Sequence, residues 1–114
     1  MNFKCRHFFI IGAQRSGTTY LSEILEMHPE ILMAKPQFPE PKYFLNTPEK
    51  SLNYKNYLKS FFANKKKENL LGEKSCSYFY DNKIFYKIKK IIDDFKIIII
   101  LRDPIERALS HYNF

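Results

Sequence analysis

The sequence predicts an α/β fold with a central parallel sheet, and three observations carry that reading. Two unbroken apolar runs, Phe8-Phe9-Ile10-Ile11 and Ile97-Ile98-Ile99-Ile100-Leu101, have the character of strands buried on both faces. Segments of helical periodicity alternate with the strand candidates, as βαβ units require. The first strand also runs directly into a turn bounded by Gly12 and Gly17 and then into a helix. That strand–loop–helix layout holds phosphate groups.

Taken in order, the first strand spans His7 to Gly12 and the first helix runs from about Gly17 to Met27. Leu21, Ile24, Leu25 and His28 give this helix one inward stripe. His28-Pro29 ends it, because the residue before proline avoids the helical region. Ile31 to Ala34 is a candidate short strand, and Pro36, Pro39 and Pro41 enforce an extended loop through Lys42. Asn53 to Phe62 reads as a helix, Asn64 to Asn69 as a polar connection, and Leu70 to Ser75 as a further strand. Asp81 or Asn82 caps a helix whose stripe is Ile84, Ile88, Ile91, Ile92 and Phe95. The strand Lys96 to Leu101 is expected to be fully buried. After it, Asp103 as N-cap, Pro104 at the first helical position and Glu106 as capping-box partner open a last helix. Three principal strands make a thin sheet, so the expectation is a truncated domain, or one that completes its core by self-association or with a missing C-terminal segment.

The 114 residues make one small domain, with 45% apolar residues, 11 Phe and 8 Tyr to fill a core. The net charge of +7 suits an anionic ligand, nucleic acid or a membrane surface. Much of the excess lies in Lys65-Lys66-Lys67 and in Lys83, Lys87, Lys89 and Lys90, whose plain reading is a solvated face. Cys5 and Cys76 form neither a metal pattern nor a disulfide framework and read as free thiols in a reducing compartment. No secretory signal or membrane-spanning run is visible, so the cytoplasm is the expected location. His7, His28 and His111 are assigned packing or capping roles.

The loop from Gly12 to Thr19 departs from the ATP and GTP phosphate loop G-x-x-x-x-G-K-[ST] in one respect. The glycine spacing is kept, but Thr18 stands where the lysine would be, and the cation is Arg15, inside the loop. Backbone N–H groups, the helix N-terminus, two threonine hydroxyls and the Arg15 fork all suit a phosphate-rich anion. Ordinary ATP chemistry is poorly served, which speaks against a phosphate-loop kinase. A second motif, Leu101-Arg102-Asp103-Pro104-Ile105-Glu106, puts Arg102 at the carboxyl end of a strand, where open α/β sheets bind ligands. Pairing of Arg102 with Asp103 or Glu106 is the structural alternative.

Together the two motifs resemble those of the sulfotransferases that use 3′-phosphoadenosine 5′-phosphosulfate, with heparan-sulfate-type and related bacterial enzymes nearest in flavour. Glu40-Pro41-Lys42-Tyr43-Phe44 resembles the family's E-x-H-[FY]-F segment, and Gly72-Glu73-Lys74-Ser75 its E-K-[ST] strand. The resemblance covers nearly the whole chain but only the N-terminal part of a full family domain. It implies a P-loop-like three-layer α/β/α fold and transfer of a sulfuryl group to an unidentified hydroxyl or amine, on a saccharide or another acceptor. It assigns the 5′-phosphosulfate to Gln14, Arg15, Ser16, Gly17, Thr18 and Thr19, and the 3′-phosphate to Arg102 and Ser110. It makes Glu40 the general base and Lys74 a second cation near the moving group, alongside Arg15. No metal is expected, because a sulfuryl group carries less charge than a terminal phosphoryl and Arg15 with the helix dipole can meet it; no nucleic acid and no membrane span are expected either. Two positions depart from the pattern: Lys42 replaces the usual His, and Leu45 stands where heparan-type enzymes can carry an acidic residue. A nucleotide-binding module without transfer activity, and a basic nucleic-acid binder, are the rival readings.

Overall fold

The structure, a computed structural model, describes residues 5–13 and 16–101. Four parallel strands, β1 (Arg6–Gly12), β2 (Ile31–Met33), β3 (Leu70–Lys74) and β4 (Phe95–Ile99), form one sheet in the order β2-β3-β1-β4. The helices are α1 (Thr18–Glu26), α2 (Tyr43–Asn46), α3 (Tyr54–Phe61) and α4 (Ile84–Lys89). Short 3₁₀ turns occupy Glu49–Ser51 and Cys76–Tyr80. Among the described residues, no helix is long and apolar enough to cross a membrane.

The pleat of β1 sorts the core into two layers. Phe9 and Ile11 point to one face, where they meet Phe44, Tyr57, Tyr78, Ile84 and Ile88 from the helices and turns after β2 and β3. Phe8 and Ile10 point to the other, against Met33 and the half-buried Leu21 and Leu25 of α1. Helices thus cover both faces, giving the three-layer α/β/α arrangement.

Register explains one glycine. Phe8 pairs with Gly72 across β1 and β3. A Cβ on Gly72 would lie 2.1 Å from Cζ of Phe8, so only glycine leaves room for that ring.

Several local expectations are corrected. The candidate short strand at Ile31 to Ala34 is a strand over Ile31–Met33 and a full member of the sheet, so the described residues hold four strands where three principal ones were expected. Among the described residues β4 lies at a sheet edge and is only half-buried, with Lys96 and Ile99 exposed, because β1 and β3 take the centre. The inward face of α1 is Thr18, Leu21, Ser22 and Leu25; Ile24 and His28 are exposed. The helix thus buries two small polar residues, Thr18 and Ser22, on its inward face. Lys83 rather than Asp81 or Asn82 occupies the N-cap of α4, although Asp81 Oδ1 still accepts from the Lys83 N–H at 2.8 Å. The extended loop ends in the unexpected turn of α2. Asn53 caps α3 as a polar N-cap should, its side chain accepting from the Asn56 N–H at 2.9 Å.

Candidate active site at the carboxyl ends of β1 and β3

The chain leaves β1 toward α1 on one face of the sheet and leaves the adjacent β3 toward α4 on the other. Neighbouring strands whose connections diverge open a crevice beyond their carboxyl ends, the usual ligand position in open α/β sheets. Gly17 begins the β1 side of this crevice. Its φ of 86° is left-handed, which glycine adopts without strain, and it forms the N-cap of α1. Ser16 and Thr18 are buried beside it. Thr18 Oγ1 lies 3.3 Å from Cys76 Sγ, which ties the start of α1 to the end of β3.

β3 supplies two adjacent charges that point oppositely. Lys74 turns toward α1 and is almost fully buried. Its Nζ pairs with Glu40 Oε2 at 2.8 Å and lies 3.5 Å from Thr19 Oγ1. The second carboxylate oxygen of Glu40 accepts from the Cys76 N–H at 3.0 Å. Glu40 is therefore held at both oxygens by the end of β3, in a loop that sequence alone would leave solvated. The Phe38 ring lies under the same ammonium, 5.0 Å from ring centroid to Nζ.

Glu73 turns to the opposite face and is fully buried. Tyr57 OH donates to its Oε1 and Ser75 Oγ to its Oε2, each at 2.6 Å. Desolvation raises the Glu73 pKa, the Ser75, Tyr57 and Tyr78 hydroxyls oppose that rise, and the Glu40 charge adds to it. Two of these hydroxyls also reach the backbone that follows Glu40. Ser75 Oγ accepts from the Lys42 N–H at 3.0 Å, and Tyr78 OH accepts from the Phe44 N–H at 3.1 Å. Lys42 itself sits at φ 51°, a strained conformation for a residue with a Cβ. Burial also pushes the Cys76 thiol up, the first cause, and the Glu40 carboxylate adds to it.

Of the residues singled out from the sequence, Ser16, Gly17, Thr18, Thr19, Glu40 and Lys74 gather around this crevice. Gln14, Arg15, Arg102 and Ser110 lie outside the described residues, as does His111. His7 and His28 pack and cap: His7 Nε2 lies 2.8 Å from Tyr54 OH, and His28 Nδ1 accepts from the Glu30 N–H. Lys74 pairs with Glu40, not with Glu73. Sequence reasoning missed the Glu73 hydroxyl network and Phe38. Tyr57 and Tyr78 carried no signal because tyrosines in an aromatic-rich chain read first as core. It also missed a hollow of about 460 Å³ beyond β1 and β4, lined in part by Ile11, Phe79, Tyr80, Phe85 and Ile99.

The sequence profile of the sulfotransferase domain matches residues 5–114, and the chain belongs to that family. It is 32% identical over 110 residues to the membrane-associated sulfotransferase kil1 of Dictyostelium discoideum, covering 95% of this chain and 22% of that protein. It is 35% identical over 119 residues to the bifunctional heparan sulfate N-deacetylase/N-sulfotransferase 4 of Mus musculus, covering 95% of this chain and 13% of that one. A solved sulfotransferase from Alicyclobacillus acidocaldarius superposes with a TM-score of 0.77 at 28% identity, covering 95% of this chain and 49% of that chain. The chain thus spans less than a third of these two curated relatives and about half of the solved one.

Proposed function

We propose that the crevice transfers a sulfuryl group from 3′-phosphoadenosine 5′-phosphosulfate to a hydroxyl or amine of a saccharide acceptor. The observation that carries this reading is the contact chain Thr19–Lys74–Glu40, which joins the start of α1, the end of β3 and the carboxylate of the loop after β2. The heparan sulfate enzyme reported among the relatives supports a sugar acceptor.

The chemistry follows from the charges. The acceptor oxygen or nitrogen forms a bond to sulfur while the bond from sulfur to the 5′-phosphate oxygen breaks, and 3′-phosphoadenosine 5′-phosphate leaves. Negative charge grows on the leaving oxygen and around the moving group, so fixed cations and N–H donors stabilise the transition state more than the ground state. Residues 14–19 hold the 5′ end, Arg102 and Ser110 the 3′-phosphate. Glu40 takes the proton of the acceptor. Lys74 bridges the two halves: an arriving sulfuryl group competes for its ammonium and frees the carboxylate for that proton.

Labelled donor with a panel of sugar acceptors tests the reading. Glu40→Gln should lower turnover by roughly 10²–10⁴-fold, the usual worth of a positioned base, while binding of 3′-phosphoadenosine 5′-phosphate stays near normal. Undiminished turnover removes Glu40 from the mechanism. Nucleotide binding without transfer to any acceptor favours a binding module.

A further inference from the structure

We propose that Phe38 is the platform on which the acceptor sugar lies, its ring stacked against the C–H face of a pyranose beside Glu40. This rests on the saccharide reading above and adds the residue that sets its specificity. A single exposed phenylalanine needs no explanation. This one is placed differently. It is 67% exposed, belongs to neither apolar cluster, and stands two residues before the candidate base. Pro36 and Pro39 flank it, each with a fixed φ, which limits how far the loop backbone can move.

The ammonium that contacts the ring is the one that pairs with Glu40: Lys74 Nζ is 5.0 Å from the ring centroid and 2.8 Å from Glu40 Oε2. Cation, carboxylate and ring therefore converge on one point. The ammonium favours one orientation of the ring, and most of the remaining ring surface is left to water. Apolar surface kept wet beside a charged pair is surface a ligand can cover with gain.

A pyranose has the matching anatomy. Its C–H groups form an apolar face, while its hydroxyls and amine project from the edge. Stacked on Phe38, it would direct an edge group sideways, toward the carboxylate two residues along. A flat phenolic acceptor shares the stacking chemistry but has no such amphipathic edge, so the two are separable by experiment.

The chain contains no tryptophan. Phe38→Trp therefore introduces a lone indole as a reporter at the site. The probe is a de-N-acetylated heparosan tetrasaccharide, titrated with and without saturating 3′-phosphoadenosine 5′-phosphate. The expected result is a saturable change of indole emission. By calorimetry, Phe38→Ala and Phe38→Leu should weaken tetrasaccharide affinity roughly two- to tenfold, the range of an aromatic stacking contact. Phe38→Tyr should keep it, and nucleotide affinity should not change in any variant. The proposal is overturned by an unmoved indole at high tetrasaccharide, or by equal affinities of the wild type and Phe38→Ala. Calorimetric binding of p-nitrophenol that Phe38→Ala abolishes, with tetrasaccharide affinity unchanged in that variant, overturns it too, by assigning the ring to a phenolic acceptor. Loss of nucleotide binding with sugar binding intact would sink the donor site and leave the platform standing.

Discussion

Glu73 and Lys74 are consecutive in β3, and the pleat sends one into a buried hydroxyl cage and the other to the crevice. The cage is the stability end of the pair. Removing the Tyr57 hydroxyl leaves a fully buried carboxylate oxygen without that donor, so Tyr57→Phe should cost about 1–3 kcal/mol in urea unfolding. Burial raises the Glu73 pKa above its ordinary 4.5, so the folded state holds this proton more tightly than the unfolded one. Its contribution is full below that ordinary value and declines as pH rises through the folded value. His7 works in the opposite sense. Burial among Tyr54, Tyr57 and Phe62 lowers its pKa from 6.5 to about 4. Between those values the unfolded chain binds the extra proton, and stability falls as pH drops, by at most about 3 kcal/mol. Glu73→Gln and His7→Gln should each flatten its own limb of the stability–pH curve. A limb that survives its substitution belongs to other groups.

At the scale of elements, two glycines make a contrasting pair. A Cβ on Gly17 would meet no neighbour within 4 Å, so its need is purely conformational, whereas Gly72 has room for nothing beyond hydrogen. Gly17→Ala should cost about 1–2 kcal/mol through the left-handed φ. Gly72→Ala should cost about 1–3 kcal/mol through overpacking against Phe8. Only the second should be relieved by trimming the opposing ring: a Gly72→Ala, Phe8→Leu cycle should show favourable coupling, while Gly17→Ala with Phe8→Leu should be additive. Much of this level was legible in the sequence. The run Phe8 to Ile11, the cap Asn53 and the strand Leu70 to Lys74 announce themselves through local chemistry. Strand order did not, which is why the most apolar run proved, among the described residues, to be a half-exposed edge, while the short strand candidate at Ile31 took the opposite edge. The site was legible as motifs but not as contacts. Glu40 reads as a loop charge until β3 reaches it with Lys74 and the Cys76 N–H, contacts across 34 and 36 residues that no local pattern encodes.

For the whole molecule, the net charge of +7 is compatible with two ways of holding an anion. A diffuse basic surface binds any polyanion through counterion release, so its affinity falls steeply with salt and barely notices one arginine. A built site reads the positions of two phosphate groups. The proposed function takes the second. At one hundred times its dissociation constant, 3′-phosphoadenosine 5′-phosphate should stabilise the chain by about 2.7 kcal/mol, on the order of 10 °C in Tm for a domain of this size. Arg15→Ala should reduce the shift given by both this nucleotide and adenosine 5′-phosphate, because both present the 5′ group. Arg102→Ala should reduce it for the first and leave the second nearly intact, because only the first carries a 3′-phosphate. Thermal scans of the three proteins with the two nucleotides, repeated with a DNA 12-mer at low and high salt, separate the alternatives. Equal losses for both nucleotides in Arg102→Ala would deny that arginine the 3′-phosphate. Nucleotide shifts untouched by either substitution, beside a salt-sensitive DNA shift, would return the chain to the basic-surface reading.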